Sequence, residues 1–125
     1  LNLFFSYDLT PSKAYIIRVE GHEDSEKKAA HCAESCDKVG QEWEYWDAYN
    51  GIDGELKAPS HHNPIMDCIK ITDHYMTRGE VACALSHISL WAKCVVEDKP
   101  LVVLEHDSVM TQPYTQHAVY NSICY

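Results

Sequence analysis

Glu105 and Asp107 stand two residues apart, directly after the apolar run Leu101-Val102-Val103-Leu104. Two carboxylates at the exit of a buried strand offer oxygen ligands, and oxygen ligands suit hard divalent cations such as Mn²⁺ or Mg²⁺. On an extended backbone residues i and i+2 share a face, so the spacing predicts that both carboxylates look into one cleft. The plainer reading of an isolated Glu-x-Asp is a pair of solvated acids at a strand end. His106, between them, is predicted to face the other way as a packed or solvated imidazole, with an extra metal ligand as the alternative. Ser86-His87 lies inside a long helical pattern and either lines a site or belongs to the core. Arg18, at the end of an earlier strand, could meet a phosphate bidentately or close a surface ion pair. His61, His62, His74 and Cys68 have no standard finger spacing, and a closed zinc site needs four placed ligands, so no structural zinc is expected there. Cys32 and Cys36, next to His31, are expected to be packing thiols. No dinucleotide fingerprint, phosphate loop or nucleophile elbow occurs.

Elements must hold those groups in place. Thr77 and Glu80 have capping-box spacing, and Val81, Leu85, Ile88, Ala92 and Val95 recur on one helical face, with Ala84, His87 and Trp91 beside it. Asp98-Lys99-Pro100 ends that helix, because proline lacks the N–H and constrains its predecessor. The unbroken apolar run after Pro100 predicts a parallel strand covered on both faces. Upstream, Ala14–Val19 is a β-branched, aromatic strand. Asp24 or Ser25 is expected to cap a helix carrying Ala29, Cys32, Ala33 and Cys36 at i, i+3, i+4 and i+7, with Gly40 closing it. Residues 42–49 read as a second strand, which makes a right-handed βαβ crossover. Residues 51–77 lack a clear pattern, and a loop of that length is functional or disordered. Leu1–Pro11 is an edge strand or a tail, and the pattern fades after Met110.

The helix Gly79-Glu80-Val81-Ala82-Cys83-Ala84-Leu85-Ser86-His87-Ile88-Ser89-Leu90-Trp91, followed by Leu104-Glu105-His106-Asp107, resembles glycosyltransferase family 25, the lipooligosaccharide and collagen galactosyltransferases. The family pattern is a Gly-Glu-x-Gly-Cys-x-x-Ser-His helix and a strand ending in Glu-Asp-Asp. Ala82 and His106 depart from it, and Arg18-Val19 stands where Asn-Leu is typical. The resemblance spans residues 13–112, the donor-binding half of the family. It implies one nucleotide-sugar-binding domain over residues 1–125, an α/β GT-A-like, Rossmann-like three-layer sandwich, truncated. It further implies metal-dependent transfer of a hexose, galactose first, from a nucleotide sugar such as a UDP-hexose to a glycan or lipooligosaccharide acceptor. Arg18, Ser86, His87, Glu105 and Asp107 would meet the donor, with Glu105 and Asp107 holding the metal. No catalytic base is assigned, since that group belongs with the acceptor. The alternatives are an inactive remnant that binds a nucleotide sugar or a protein partner, and an interaction module without a cleft.

A chain of 125 residues makes one domain at most. Its net charge of −9 argues against nucleic-acid or anionic-membrane surfaces, which need clustered Lys and Arg. It also means that a diphosphate needs a cation bridge to approach. No apolar run approaches the ~20 residues of a membrane span, and the start lacks a secretory signal. At least four of the six cysteines fall in apolar helical stripes, so they are expected as free thiols in a reducing, cytoplasmic compartment rather than as a disulfide framework.

Overall fold

The computed structural model describes residues 13–72 and 75–112. The N-terminal stretch 1–11, His74 and Cys124 lie outside the described residues. Three strands, β1 (Lys13–Arg18), β2 (Glu42–Asp47) and β3 (Val102–Glu105), form one parallel sheet in the order β2-β1-β3. Helix α1 (Glu23–Val39) joins β1 to β2, and α2 (Arg78–Glu97) leads into β3.

The alternation along β1 builds three layers. Ile16 faces α1, packing with Ala29, Cys32, Ala33 and Cys36. Tyr15 and Ile17 face the other way, onto Leu90 of α2. Because β1 is central, four of its six residues are buried. The expected parallel α/β sandwich is therefore the observed one, with β1 as its spine.

The helix ends follow local chemistry, with one correction. The first cap is not Asp24 or Ser25 but His22, whose Nδ1 accepts from the Ser25 N–H at 3.3 Å. Ser25 is committed elsewhere and is fully buried. Gly40 closes α1 in the left-handed conformation. Thr77 caps α2 by accepting from the Glu80 N–H, and Asp98 ends it, also left-handed, at φ 52°.

Three further expectations change. Among the described residues β3 lies at the sheet edge, and Val102–Leu104 are only half-buried rather than enclosed. On α2, Val95 is 76 % exposed, so the apolar face expected through Val95 does not stay buried to its end. By length and composition α2 is long and apolar enough to cross a membrane, which the count of unbroken apolar residues did not register. Its buried face nevertheless serves the core: Val81, Ala82 and Leu85 pack with Tyr49 and Met66. That packing also gives the loop after β2 a structure of its own. Asn50 bridges to Lys57, and Pro64–Cys68 form a short 3₁₀ helix.

Candidate functional site

The strand order fixes where a ligand can go. From β1 the chain crosses to β2 on one side and later returns to β3 on the other. The β1–β2 connection packs α1 on one face of the sheet and the β2–β3 connection packs α2 on the other, and in such a sheet ligands bind in the crevice beyond the carboxyl ends of the strands. A cleft of about 240 Å³ lies there. Its walls are the last residues of β1 with Val19, the loop from Ala48 to Ile52, the first half of α2, and Glu105-His106-Asp107. All five residues expected at the donor site, Arg18, Ser86, His87, Glu105 and Asp107, line it.

They reach it by different routes. Glu105 is the last residue of β3, and Asp107 lies in a turn closed by the Ser108 N–H on the Glu105 carbonyl at 3.0 Å. The extended-strand argument for a shared face fails at this point, and the turn brings both carboxylates to the cleft instead. Both are exposed. Among the described residues, no lysine or arginine ion pair involves either one. Two unneutralised carboxylates on one wall fit a hard divalent cation.

His106 lines the same cleft but is anchored on α1. Its Nδ1 lies 2.8 Å from the buried Ser25 hydroxyl, which also accepts from the Val19 N–H at 2.8 Å. One hydroxyl therefore ties the ends of β1 and β3 to the first turn of α1, and His106 is a packed imidazole.

Ser86 is buried, and its hydroxyl is already engaged. It donates to the Ala82 carbonyl at 2.7 Å and accepts from the Tyr49 N–H at 2.9 Å. Its contribution is to pin the loop after β2 against α2. Gly51 assists, since a Cβ there would overlap the carbonyl of Arg78. His87 projects farther along the cleft, with Nε2 3.2 Å from Glu105 Oε1.

Arg18 is paired in register with Asp47 across β1 and β2, at 3.5 Å, and its guanidinium lies 4.1 Å from the centre of the Tyr45 ring. Arg18 Nε and Asp47 Oδ1 are both shielded from solvent without a proper hydrogen bond. The pair is electrostatic and poorly aligned, which leaves the arginine with unused donors at the cleft edge.

The remaining histidines support the walls. His61 stacks on Trp46 and contacts the Asp47 carbonyl at 2.7 Å. His62 bridges the Tyr49 hydroxyl and Asp67. The Cys68 thiol donates to the Ile65 carbonyl. The five cysteines described are free thiols, with Cys32 and Cys36 buried. Cys83 and Cys94 were expected in apolar stripes, but Cys83 is exposed and Cys94 half-exposed. Although the residue is exposed as a whole, partial desolvation of its sulfur, with the charge of Glu105, raises the Cys83 thiol above its ordinary pKa. Its cleft position was missed in the sequence because the helical repeat there was assigned to packing; its i, i+4 relation to His87 was the available signal.

Residues 12–121 match the model of glycosyltransferase family 25, described as an LPS biosynthesis protein family. No curated protein and no solved structure matches the chain significantly. A family match over that much of the chain settles membership: the chain belongs to glycosyltransferase family 25.

Proposed function

Taking the chain as a member of this family, we propose that its cleft binds the diphosphate of a nucleotide sugar, a UDP-hexose, for transfer of the hexose to a glycan acceptor. The observation that supports this reading is the pair of carboxylates, Glu105 and Asp107, without a lysine or arginine partner among the described residues, lining a cleft at the carboxyl ends of the strands. Transfer breaks the bond between the anomeric carbon and a phosphate oxygen, through an oxocarbenium-like transition state, and charge collects on the leaving diphosphate. Glu105 and Asp107 would hold Mn²⁺ or Mg²⁺, which when bound supplies Lewis-acid neutralisation of that charge. Arg18 offers its unused donors to the nucleotide side. His87 fixes the orientation of the Glu105 carboxylate. The Ser86 and Gly51 contacts hold the opposite wall.

A second reading, binding without turnover, is favoured by His106. It stands where the family pattern has an acid, and Ser25 holds its ring.

Thermal unfolding in the presence of UDP-galactose and UDP-glucose, with and without Mn²⁺, tests the proposal. A ligand at 100 times its Kd stabilises by about 2.7 kcal/mol. Metal-dependent stabilisation that disappears in Asp107→Ala is the expected result. No stabilisation by any nucleotide sugar, with metal present, would remove the donor reading. UDP release in the presence of an acceptor glycan then separates an enzyme from a binder.

A further inference from the structure

Cys83, His87 and Glu105 place one sulfur, one imidazole nitrogen and one carboxylate oxygen within 4.8 Å of one another. Cys83 and His87 are four residues apart on α2, so they project side by side from one helical face. Glu105 approaches from the end of β3. Both supports are rigid elements, and the Ser86 hydroxyl locks the intervening turn of α2 to Tyr49. We propose that these three side chains form a binding site for a thiophilic divalent cation, Zn²⁺, with its remaining coordination position open to the cleft.

The donor set selects the ion. Thiolate, imidazole and carboxylate together are zinc chemistry, whereas Mn²⁺ and Mg²⁺ prefer oxygen alone. Three protein ligands with an open fourth position are the arrangement of reactive rather than structural zinc sites.

The spacing also suits zinc. Metal–ligand bonds of ~2.0–2.3 Å in a tetrahedron put neighbouring ligand atoms about 3.3–3.7 Å apart. His87 Nε2 and Glu105 Oε1 are already 3.2 Å apart. That is long for a charge-assisted hydrogen bond, which runs ~2.7–2.9 Å. Closing the thiol onto this pair requires a shift of no more than about 1 Å, within reach of a side-chain rotation at an exposed residue. A bare His–Glu ion pair accounts for two of the three groups and leaves the thiol unexplained. The net charge of −9 favours any cation at this position.

The inference does not rest on the donor reading, which makes no use of Cys83, although His87 and Glu105 are common to both. The chelator-stripped protein is titrated with Zn²⁺, and separately with Co²⁺ as a spectroscopic substitute, in the absence of nucleotide. The expected result is one equivalent of Zn²⁺ bound more tightly than Mn²⁺, with a thiolate-to-cobalt charge-transfer band in the Co²⁺ sample. That band is lost in Cys83→Ser, weakened or shifted in His87→Gln, and kept in Cys68→Ser, which removes a different exposed thiol. Far-UV circular dichroism of the metal-free variants confirms that each is folded, and His87→Gln keeps the test open if Cys83→Ser is not. The absence of a thiolate band, a band that survives Cys83→Ser, or Mn²⁺ binding tighter than Zn²⁺ overturns the proposal. A failed UDP-sugar titration leaves the cobalt band untouched, and a missing cobalt band leaves UDP-sugar binding untouched, so the two readings fail separately.

Discussion

Ser86 shows how one residue can line a cleft and still serve the fold. With a backbone carbonyl and a backbone N–H already on its hydroxyl, its value is the satisfaction of the buried Tyr49 amide. Leaving such an amide unpaired costs about 1–3 kcal/mol. Ser86→Ala is therefore expected to lower stability by that amount in urea denaturation, and to weaken donor binding only as far as the Ala48–Ile52 wall loosens. A large loss of UDP-sugar affinity with unchanged stability would instead make the hydroxyl a direct ligand. Residue types at Glu105, Asp107 and His87 were legible because their chemistry is unusual beside an apolar run. The commitments of Ser25 and Ser86 were not, since each depends on partners remote in the chain: His106 lies 81 positions from Ser25 and Tyr49 lies 37 from Ser86.

At the scale of elements, local rules carried far. Strand β1, both helices, the Thr77 cap, the Gly40 stop and the parallel β3 all follow from periodicity and end chemistry. What escaped them has a common cause. The His22 cap arises because Ser25, the better capping type, is drawn into the core. The segment 51–77 has weak periodicity because it is shaped by docking Met66 onto α2 rather than by a repeat of its own. Gly51 is the tightest point of that docking, since it admits the Arg78 carbonyl where a side chain would collide. Gly51→Ala should force the loop away from the start of α2. The expected cost is about 1–3 kcal/mol, in the range of overpacking. Equilibrium unfolding measures it, and displacement of this cleft wall should appear as weaker donor stabilisation. An alanine variant with wild-type stability would show that the loop yields without strain.

For the molecule as a whole, the buried thiols set an alkaline limit. Burial pushes the Cys32 thiol up from 9.0 to about 12, and burial raises Cys36 in the same direction. The unfolded thiol ionises first, so above pH 9 the folded chain retains a proton that the unfolded chain has lost. Stability is fully present below pH 9 and falls as pH rises toward about 12, by at most ~1.4 kcal/mol per pH unit for this group. Urea midpoints on either side of pH 9 test this, and Cys32→Ala should flatten the slope. Equal slopes in the two proteins would assign the alkaline loss to other groups.

The place of β1 in the sheet has a consequence for the order of assembly. The strand made earliest among the three needs neighbours on both flanks, and its second neighbour ends only at Glu105. During synthesis, therefore, Ala14–Ile17 presents a greasy open border until almost the entire described chain has left the ribosome. Unpaired borders of this kind recruit other chains. Nascent chains halted before Leu101 should be captured by chaperones or pelleted on centrifugation, while those extended past Met110 should stay in the supernatant. Equal solubility at both lengths would mean that β2 and α1 alone are sufficient to shield the spine.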